Sequence, residues 1–199
     1  MKKVLFINST PKLVENSNTL KMAHEFLNSY KEENKDAQVT TLNLYEEDIK
    51  FLDLETLNKM FGPEKEELTM MKYAKQFADA DVYVIAAPMW NLSFPAILKA
   101  YFDYVSIAGV TFKYTPQGAV GLLNDKKAIF VSSRGGKYDE GMGANFEMGE
   151  RYVRAILGFF GVSEISTISM ELASVLQGEA FENAFNISLT KAKELGKVL

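Results

Sequence analysis

The sequence predicts an α/β fold: a doubly wound, five-stranded parallel sheet in the order 2-1-3-4-5, with helices on both faces. Three observations carry that expectation. Short apolar runs alternate with helix-period segments along the whole chain, a pattern that builds parallel strands joined by helical crossovers. The apolar runs number five, which favours this order over the six-stranded dinucleotide-binding arrangement. No internal repeat, low-complexity tract or linker breaks the 199 residues, so one domain over 1–199 is expected.

Taken in order, Val4 to Ile7 is a buried-strand run closed by Asn8-Ser9-Thr10-Pro11, and a helix follows from about Ser17 to Glu33. Gln38 to Leu44 has the β-branched content of a second strand. Asp53 to Phe61 reads as a short helical segment ended by the breaker pair Gly62-Pro63. Glu64 to Ala80 reads as a helix whose acidic first turn suits the helix dipole. Val82 to Ala87 is the third strand. Ser93 is expected to cap the next helix, with Pro95 in its first turn, where a missing N–H costs nothing. Ile97, Leu98, Tyr101, Phe102 and Val105 share one face of that helix. Gly109 to Gly121 is irregular and polar-aromatic, which suits a hairpin excursion. Ala128 to Ser132 is the fourth strand. Met148, Tyr152, Ile156, Leu157 and Phe160 mark a helix stopped by Gly161, and Glu164 to Met170 is the fifth strand. Phe181, Phe185, Leu189, Ala192 and Leu195 stripe a final helix.

Composition narrows the function. Apolar residues make up 47% and charged residues 24%, with a formal net charge of −4. A chain of this length buries a real core, and an acidic balance argues against nucleic acid as a partner, since sequence-independent binding needs a basic face. There is no cysteine, which removes disulfides, a thiolate nucleophile and thiolate metal sites together. The apolar run after Met1-Lys2-Lys3 is too short for a signal-peptide core, and no stretch approaches a membrane span. A cytoplasmic protein with no membrane partner is expected.

Three loops hold the candidate site residues. The first follows strand one: Asn8-Ser9-Thr10-Pro11, then Asn16-Ser17-Asn18-Thr19 opening the helix. Hydroxyls, an amide and free N–H groups at a helix start make an anion site, although the same residues are ordinary helix caps. Neither Gly-x-Gly-x-x-Gly nor the P-loop pattern is present, so a single terminal phosphate fits better than a pyrophosphate. The second loop is Pro88-Met89-Trp90-Asn91-Leu92-Ser93-Phe94-Pro95, with the only Trp in the chain. The third is Ser132-Ser133-Arg134-Gly135-Gly136, whose glycines allow close backbone approach. In the order 2-1-3-4-5 all three leave one edge of the sheet around the switch point, where open α/β sheets bind ligands. One ligand with a phosphate at one end and a flat, polar-edged ring at the other could touch all three. FMN has that shape.

The same residues carry a resemblance. Pro88-Met89-Trp90-Asn91 with Phe94-Pro95, Gly109-Val110-Thr111-Phe112-Lys113-Tyr114, Ser133-Arg134-Gly135-Gly136 and Leu157-Gly158-Phe159-Phe160-Gly161 resemble the flavodoxin-like FMN-dependent NADH:quinone oxidoreductase and azoreductase family over essentially the full length. The resemblance implies non-covalent FMN, with Thr10, Ser17, Asn18 and Thr19 at its phosphate. It also implies that Met89, Trp90, Asn91 and Leu92 lie along the isoalloxazine, and that Ser133, Arg134, Gly135 and Gly136 lie at the ring's polar edge. Trp90 and Leu92 stand where the family carries Tyr and Phe, and they bear on substrate preference. It further implies a homodimer with active sites near the interface.

The expected activity is two-electron transfer from NADH or NADPH through the flavin to quinones or azo compounds, by a ping-pong mechanism. The cofactor carries the chemistry, and no catalytic side chain is assigned. The alternative is a flavodoxin-like electron carrier or redox-responsive FMN protein that does not turn over NADH. His24, the single histidine, lies inside the first helix, too far from the three loops for a triad; no metal site is expected, since metal sites need three or four ligands. The acidic pairs Glu46-Glu47, Glu66-Glu67 and Asp79/Asp81 read as solvated faces and caps.

Overall fold

The computed structural model describes residues 1–60, 62 and 68–199. Phe61, Pro63 and the acidic turn expected at Glu64 to Glu67 lie outside the described residues. Five strands form one parallel sheet: β1 (Lys3–Asn8), β2 (Gln38–Asn43), β3 (Val82–Ala86), and, beyond a separate hairpin of β4 (Phe112–Thr115) and β5 (Gly118–Gly121), β6 (Lys127–Ser133) and β7 (Glu164–Met170). Their order is β2-β1-β3-β6-β7, which is the expected 2-1-3-4-5 once the hairpin is set aside. The helices are α1 (Asn18–Glu33), α2 (Leu54–Met60), α3 (Thr69–Asp79), α4 (Ala96–Val105), α5 (Gly149–Phe160) and α6 (Gly178–Val198).

The central strands are continuous apolar runs because both of their faces are covered. Val4 and Phe6 of β1, Val84 of β3 and Ile129 and Val131 of β6 point to one side, where Met22, Phe26 and Tyr30 of α1 and Ala192 of α6 meet them. Leu5, Ile7, Tyr83, Ile85 and Phe130 point to the other side, onto Phe77 of α3, Tyr101 and Phe102 of α4, and Phe160 of α5. The latter core is strongly aromatic: Phe77 stacks on Tyr83 at 4.2 Å and meets Phe160 edge-on at 5.9 Å.

The excursion over 109–121 is an antiparallel hairpin, with Phe112 opposite Gly121 and Thr115 opposite Gly118. The Thr111 hydroxyl donates to the Val105 carbonyl at 2.7 Å and pins its base. Gly121 passes so close to the end of α5 that a Cβ there would stand 2.2 Å from the Gly161 amide nitrogen. Gly161 ends α5 as expected, with a left-handed φ of 102° that costs glycine little.

One expected cap differs. α4 begins at Ala96 with Pro95 as its cap residue, and no side chain caps it. Ser93 is held instead in a tight turn with Trp90: Trp90 N donates to Ser93 O at 2.7 Å, and Ser93 N to Trp90 O at 3.1 Å. Asn91 and Leu92, between them, have φ of 48° and 70°, the paired left-handed conformation of a type I′ turn. With α4 starting at Ala96, Ser93 stands two residues before the cap position, so its hydroxyl is not placed to cap the helix.

Candidate functional site

The carboxyl ends of β1, β3 and β6 carry the three loops, and hydrogen bonds tie them into a closed ring. Ser9 donates to the Ala86 carbonyl through both N (3.0 Å) and Oγ (2.9 Å). Met89 N donates to Ser133 O at 3.0 Å, and Ser133 N donates to Thr19 Oγ1 at 3.1 Å. The adjacency expected from strand order is therefore direct contact. A cleft of about 280 Å³ lies between the loops.

One end of the cleft is the start of α1. The Ser17 side chain caps the helix by accepting from Leu20 N at 3.3 Å. The preceding amides, Asn18 and Thr19, donate to nothing among the described residues, and they carry the positive end of the helix dipole. Thr10 and Lys12 line the same end. Lys12 makes no ion pair among the described residues. Amides at a helix start, hydroxyls and one lysine are groups suited to an anion.

Met89 and Trp90 line the middle of the cleft. Trp90 is not packed under its loop: it is 38% exposed, held out by the type I′ turn. It also walls a second, mostly apolar pocket of about 770 Å³, together with Asn91, Phe94 and Ile97. Tyr45 and Phe51, from the loop after β2, close the far side of that pocket. Leu92 sits at the exposed tip of the turn and lines neither space.

At the third loop, Ser133 and Gly135 line the cleft. A Cβ on Gly135 would stand 2.9 Å from Ser174 Oγ, so only glycine fits without moving that neighbour. Gly136 does not line the cleft. A Cβ there would meet the Tyr138 ring at 3.1 Å, so a bulkier residue would press on Tyr138 and not on the cleft directly.

Arg134 departs most from the sequence expectation. Its side chain is 3% exposed and faces away from the cleft. Nη1 donates to Glu171 Oε1 at 2.9 Å and Nη2 to Glu150 Oε2 at 2.7 Å, with Glu147 Oε1 3.6 Å from Nη2. The reason is electrostatic: a guanidinium leaving water needs carboxylates, and three are here. Burial costs Arg134 charge stabilisation, but Glu150, Glu171 and Glu147 outweigh it and raise its pKa. The sequence does not single out these glutamates: Glu147 and Glu150 stand at the start of α5, Glu171 lies after β7, and they meet Arg134 only through the fold.

A fourth loop also escapes the sequence reading. Ala173 and Ser174, after β7, line the cleft beside Gly135. The signal is present, since β7 ends on the same edge as the other strands, but Glu171 to Ser174 carries no distinctive composition. His24 lies on α1 against the Phe6 ring at 5.5 Å. Among the described residues no group of side chains is arranged to hold a metal, and no helix is long and apolar enough to cross a membrane.

A sequence model of the flavodoxin-like fold matches residues 2–194. The chain belongs to this family. The protein of Clostridium perfringens (strain ATCC 13124) named FMN-dependent NADH:quinone oxidoreductase is 51% identical, covering 99% of each chain. One of the same name from Clostridium beijerinckii is 50% identical with the same coverage. Among solved structures, an azoreductase from Bacillus anthracis str. Sterne superposes with a TM-score of 0.93 at 35% identity over 100% of both chains. An FMN-dependent NADH-azoreductase from Bacillus anthracis str. Ames Ancestor, solved in complex with FMN, gives 0.85 at 30% identity over 98% of this chain and 100% of that one. The resemblance read from the sequence thus holds along the whole chain.

The cleft also suits FMN on its own chemistry. Unpaired helix-start amides, two hydroxyls and a lysine answer a phosphate, an exposed indole answers a flat ring, and a glycine allows backbone approach at the ring's edge.

Proposed function

We propose that the chain is an FMN-dependent oxidoreductase that passes two electrons from NADH or NADPH to quinones or azo compounds. The observation that carries this reading is the convergence of four strand-end loops on one cleft, in a chain 51% identical end to end to a protein named for that activity. When bound, FMN supplies the two-electron chemistry itself.

The chain's residues bind and orient. Asn18 N, Thr19 N, the Thr10 and Ser17 hydroxyls and Lys12 would hold the phosphate, and Met89 and Trp90 would support the ring. Ser133 and the Gly135 backbone would meet its polar edge, where an N–H dipole would favour negative charge, as in an oxyanion hole. Asn91, Phe94, Tyr45 and Phe51 line the adjoining apolar pocket, which suits a flat, weakly polar acceptor. Leu92, Arg134 and Gly136 act on the site from behind, through the turn, the buried ion cluster and Tyr138.

Donor and acceptor use one face in turn, so the kinetics are ping-pong. The protein is a single domain over 1–199 and works in the cytoplasm as a homodimer. Support for the dimer comes from Met142, Phe146 and Met148, large apolar side chains exposed to solvent within residues 142–148; exposed apolar surface of this kind marks association sites.

The test is anaerobic stopped-flow mixing of FMN-loaded protein with NADH. Bleaching of the flavin absorbance, followed by its return on adding a quinone, is expected. Uptake of FMN without bleaching would instead identify an electron carrier. Parallel double-reciprocal lines across donor and acceptor concentrations check the ping-pong order.

A further inference from the structure

Building on the FMN reading, we infer that Arg134 and Glu171 are positioning residues. The buried ion cluster they form fixes the 134–138 segment against 171–174, so that Gly135 and Ser174 present themselves to the cleft. The backbone shows what needs holding. Arg134 N donates to Met170 O at 2.8 Å, Ala173 N to Arg134 O at 2.9 Å, Leu172 N to Gly136 O at 2.9 Å and Ser174 N to Gly135 O at 3.2 Å. These bonds extend the β6–β7 ladder past the sheet edge, where Leu172 takes a left-handed φ of 58°. Such a conformation persists in a non-glycine residue only when its surroundings over-determine it.

Glu171 supplies the constraint with both oxygens. Oε1 accepts from Arg134 Nη1 at 2.9 Å, and Oε2 accepts from Tyr138 N at 2.7 Å. One carboxylate therefore clamps the segment at both ends. The other guanidinium nitrogen reaches α5: Nη2 donates to Glu150, while Glu147 caps that helix by accepting from Glu150 N at 2.9 Å. The next residue, Met148, donates its amide to Leu92 O at 3.0 Å. One planar guanidinium thus links the glycine loop, the post-β7 loop and, through α5, the Trp90 turn. Lysine could not reproduce this, because an ammonium lacks the fixed fork that reaches two carboxylates in different directions. Three carboxylates surround one guanidinium, and Arg154 pairs with Glu150 alone of the three, at 2.9 Å, so the carboxylates are more than neutralisation requires. Buried ion pairs are weak sources of stability, so geometry is the better account of this cluster.

Glu171→Gln tests the inference while leaving Arg134 paired with Glu150 and Glu147. The amide turns one acceptor into a donor facing either the guanidinium or Tyr138 N, so one clamp is lost. Amide hydrogen exchange of the FMN-free protein and FMN titration by fluorescence quenching are compared with wild type, Arg134→Lys and Arg154→Gln. In Glu171→Gln, exchange at Tyr138 and over 172–174 should quicken about tenfold and the FMN Kd rise about tenfold, the loss of one charge-assisted hydrogen bond. The thermal midpoint should fall by only about 2–4 °C, so the variant stays folded through both measurements. Arg134→Lys should fold and show the same two changes, and Arg154→Gln neither. Unchanged exchange in Glu171→Gln would overturn the clamp. Faster exchange with an unchanged Kd would overturn its role at the cofactor. A wild-type protein that takes up no FMN would sink the cofactor reading and the cofactor half of this inference, while exchange would still decide the structural half.

Discussion

Leu92 carries a conformational cost at the tip of the Trp90 turn. A left-handed φ in a bulky residue costs about 1–2 kcal/mol, and a side chain 41% exposed recovers only part of it by burial. Leu92→Gly places a glycine directly after Asn91, and Asn-Gly is the preferred type I′ pair. Glycine's own backbone entropy gives back about 0.5–1 kcal/mol. The expected net effect is a protein more stable by about 0.5 kcal/mol in urea unfolding; a lower stability would show that Leu92 packs more than its exposure suggests. Thr19 is the complementary case, because its hydroxyl joins two loops and is 1% exposed. Thr19→Val keeps the shape and leaves Ser133 N without its partner. A loss of about 1–2 kcal/mol of stability and weaker FMN binding are expected, read by urea unfolding and fluorescence titration. Lys12 contributes charge and no packing, so Lys12→Gln should weaken FMN binding a few-fold at low salt and progressively less as salt screens it. A salt-independent effect would remove Lys12 from the phosphate end.

Between elements, α6 meets the backbone of α1 at a glycine. A Cβ at Gly196 would stand 2.6 Å from the Phe26 carbonyl oxygen and 2.9 Å from Tyr30 N. Both are backbone atoms, so no rotamer change relieves the clash, and Gly196→Val should cost about 3 kcal/mol in urea unfolding. A smaller loss would mean that α6 slides along α1 without penalty. The sequence marks α6 by its Phe181, Phe185, Leu189, Ala192 and Leu195 stripe but cannot mark Gly196, since a glycine inside a helical pattern gives no sign of what packs on it. The same division runs through the fold. Val82 to Ala86 is legible as a strand because burial on both faces writes itself as an unbroken apolar run. The role of Ser93 is not legible, because Ser is equally at home capping a helix or closing a turn, and only the approach of Trp90 decides between them.

At the scale of the whole molecule, strand order brings the three loops together, and it is legible because alternation and strand count leave few topologies. The Arg134 cluster is not, since Glu147, Glu150 and Glu171 meet it only after α5 and β7 have packed. Glu150 and Glu171 also enter the pH dependence of stability, with opposite signs. Burial holds Glu171 above the ordinary value of 4.5. Burial also raises Glu150, but hydrogen bonds from Thr167, Arg134 and Arg154 outweigh it and leave that group below 4.5. Nearer neutrality the chain has a single histidine, which makes the assignment clean. Burial, and then the charge of Lys31, lower His24 below its ordinary 6.5. The unfolded chain therefore takes up a proton near pH 6.5 that the folded chain still refuses. The contribution of His24 is intact above that value and is lost as pH falls from 6.5 toward the folded pKa, where it levels off. Unfolding free energy measured by urea should thus decline through this window in wild type. In His24→Gln that decline should disappear, while the acid behaviour at lower pH, set by the carboxylates, remains. Equal slopes in the two proteins would show that His24 takes up its proton as readily in the fold as outside it.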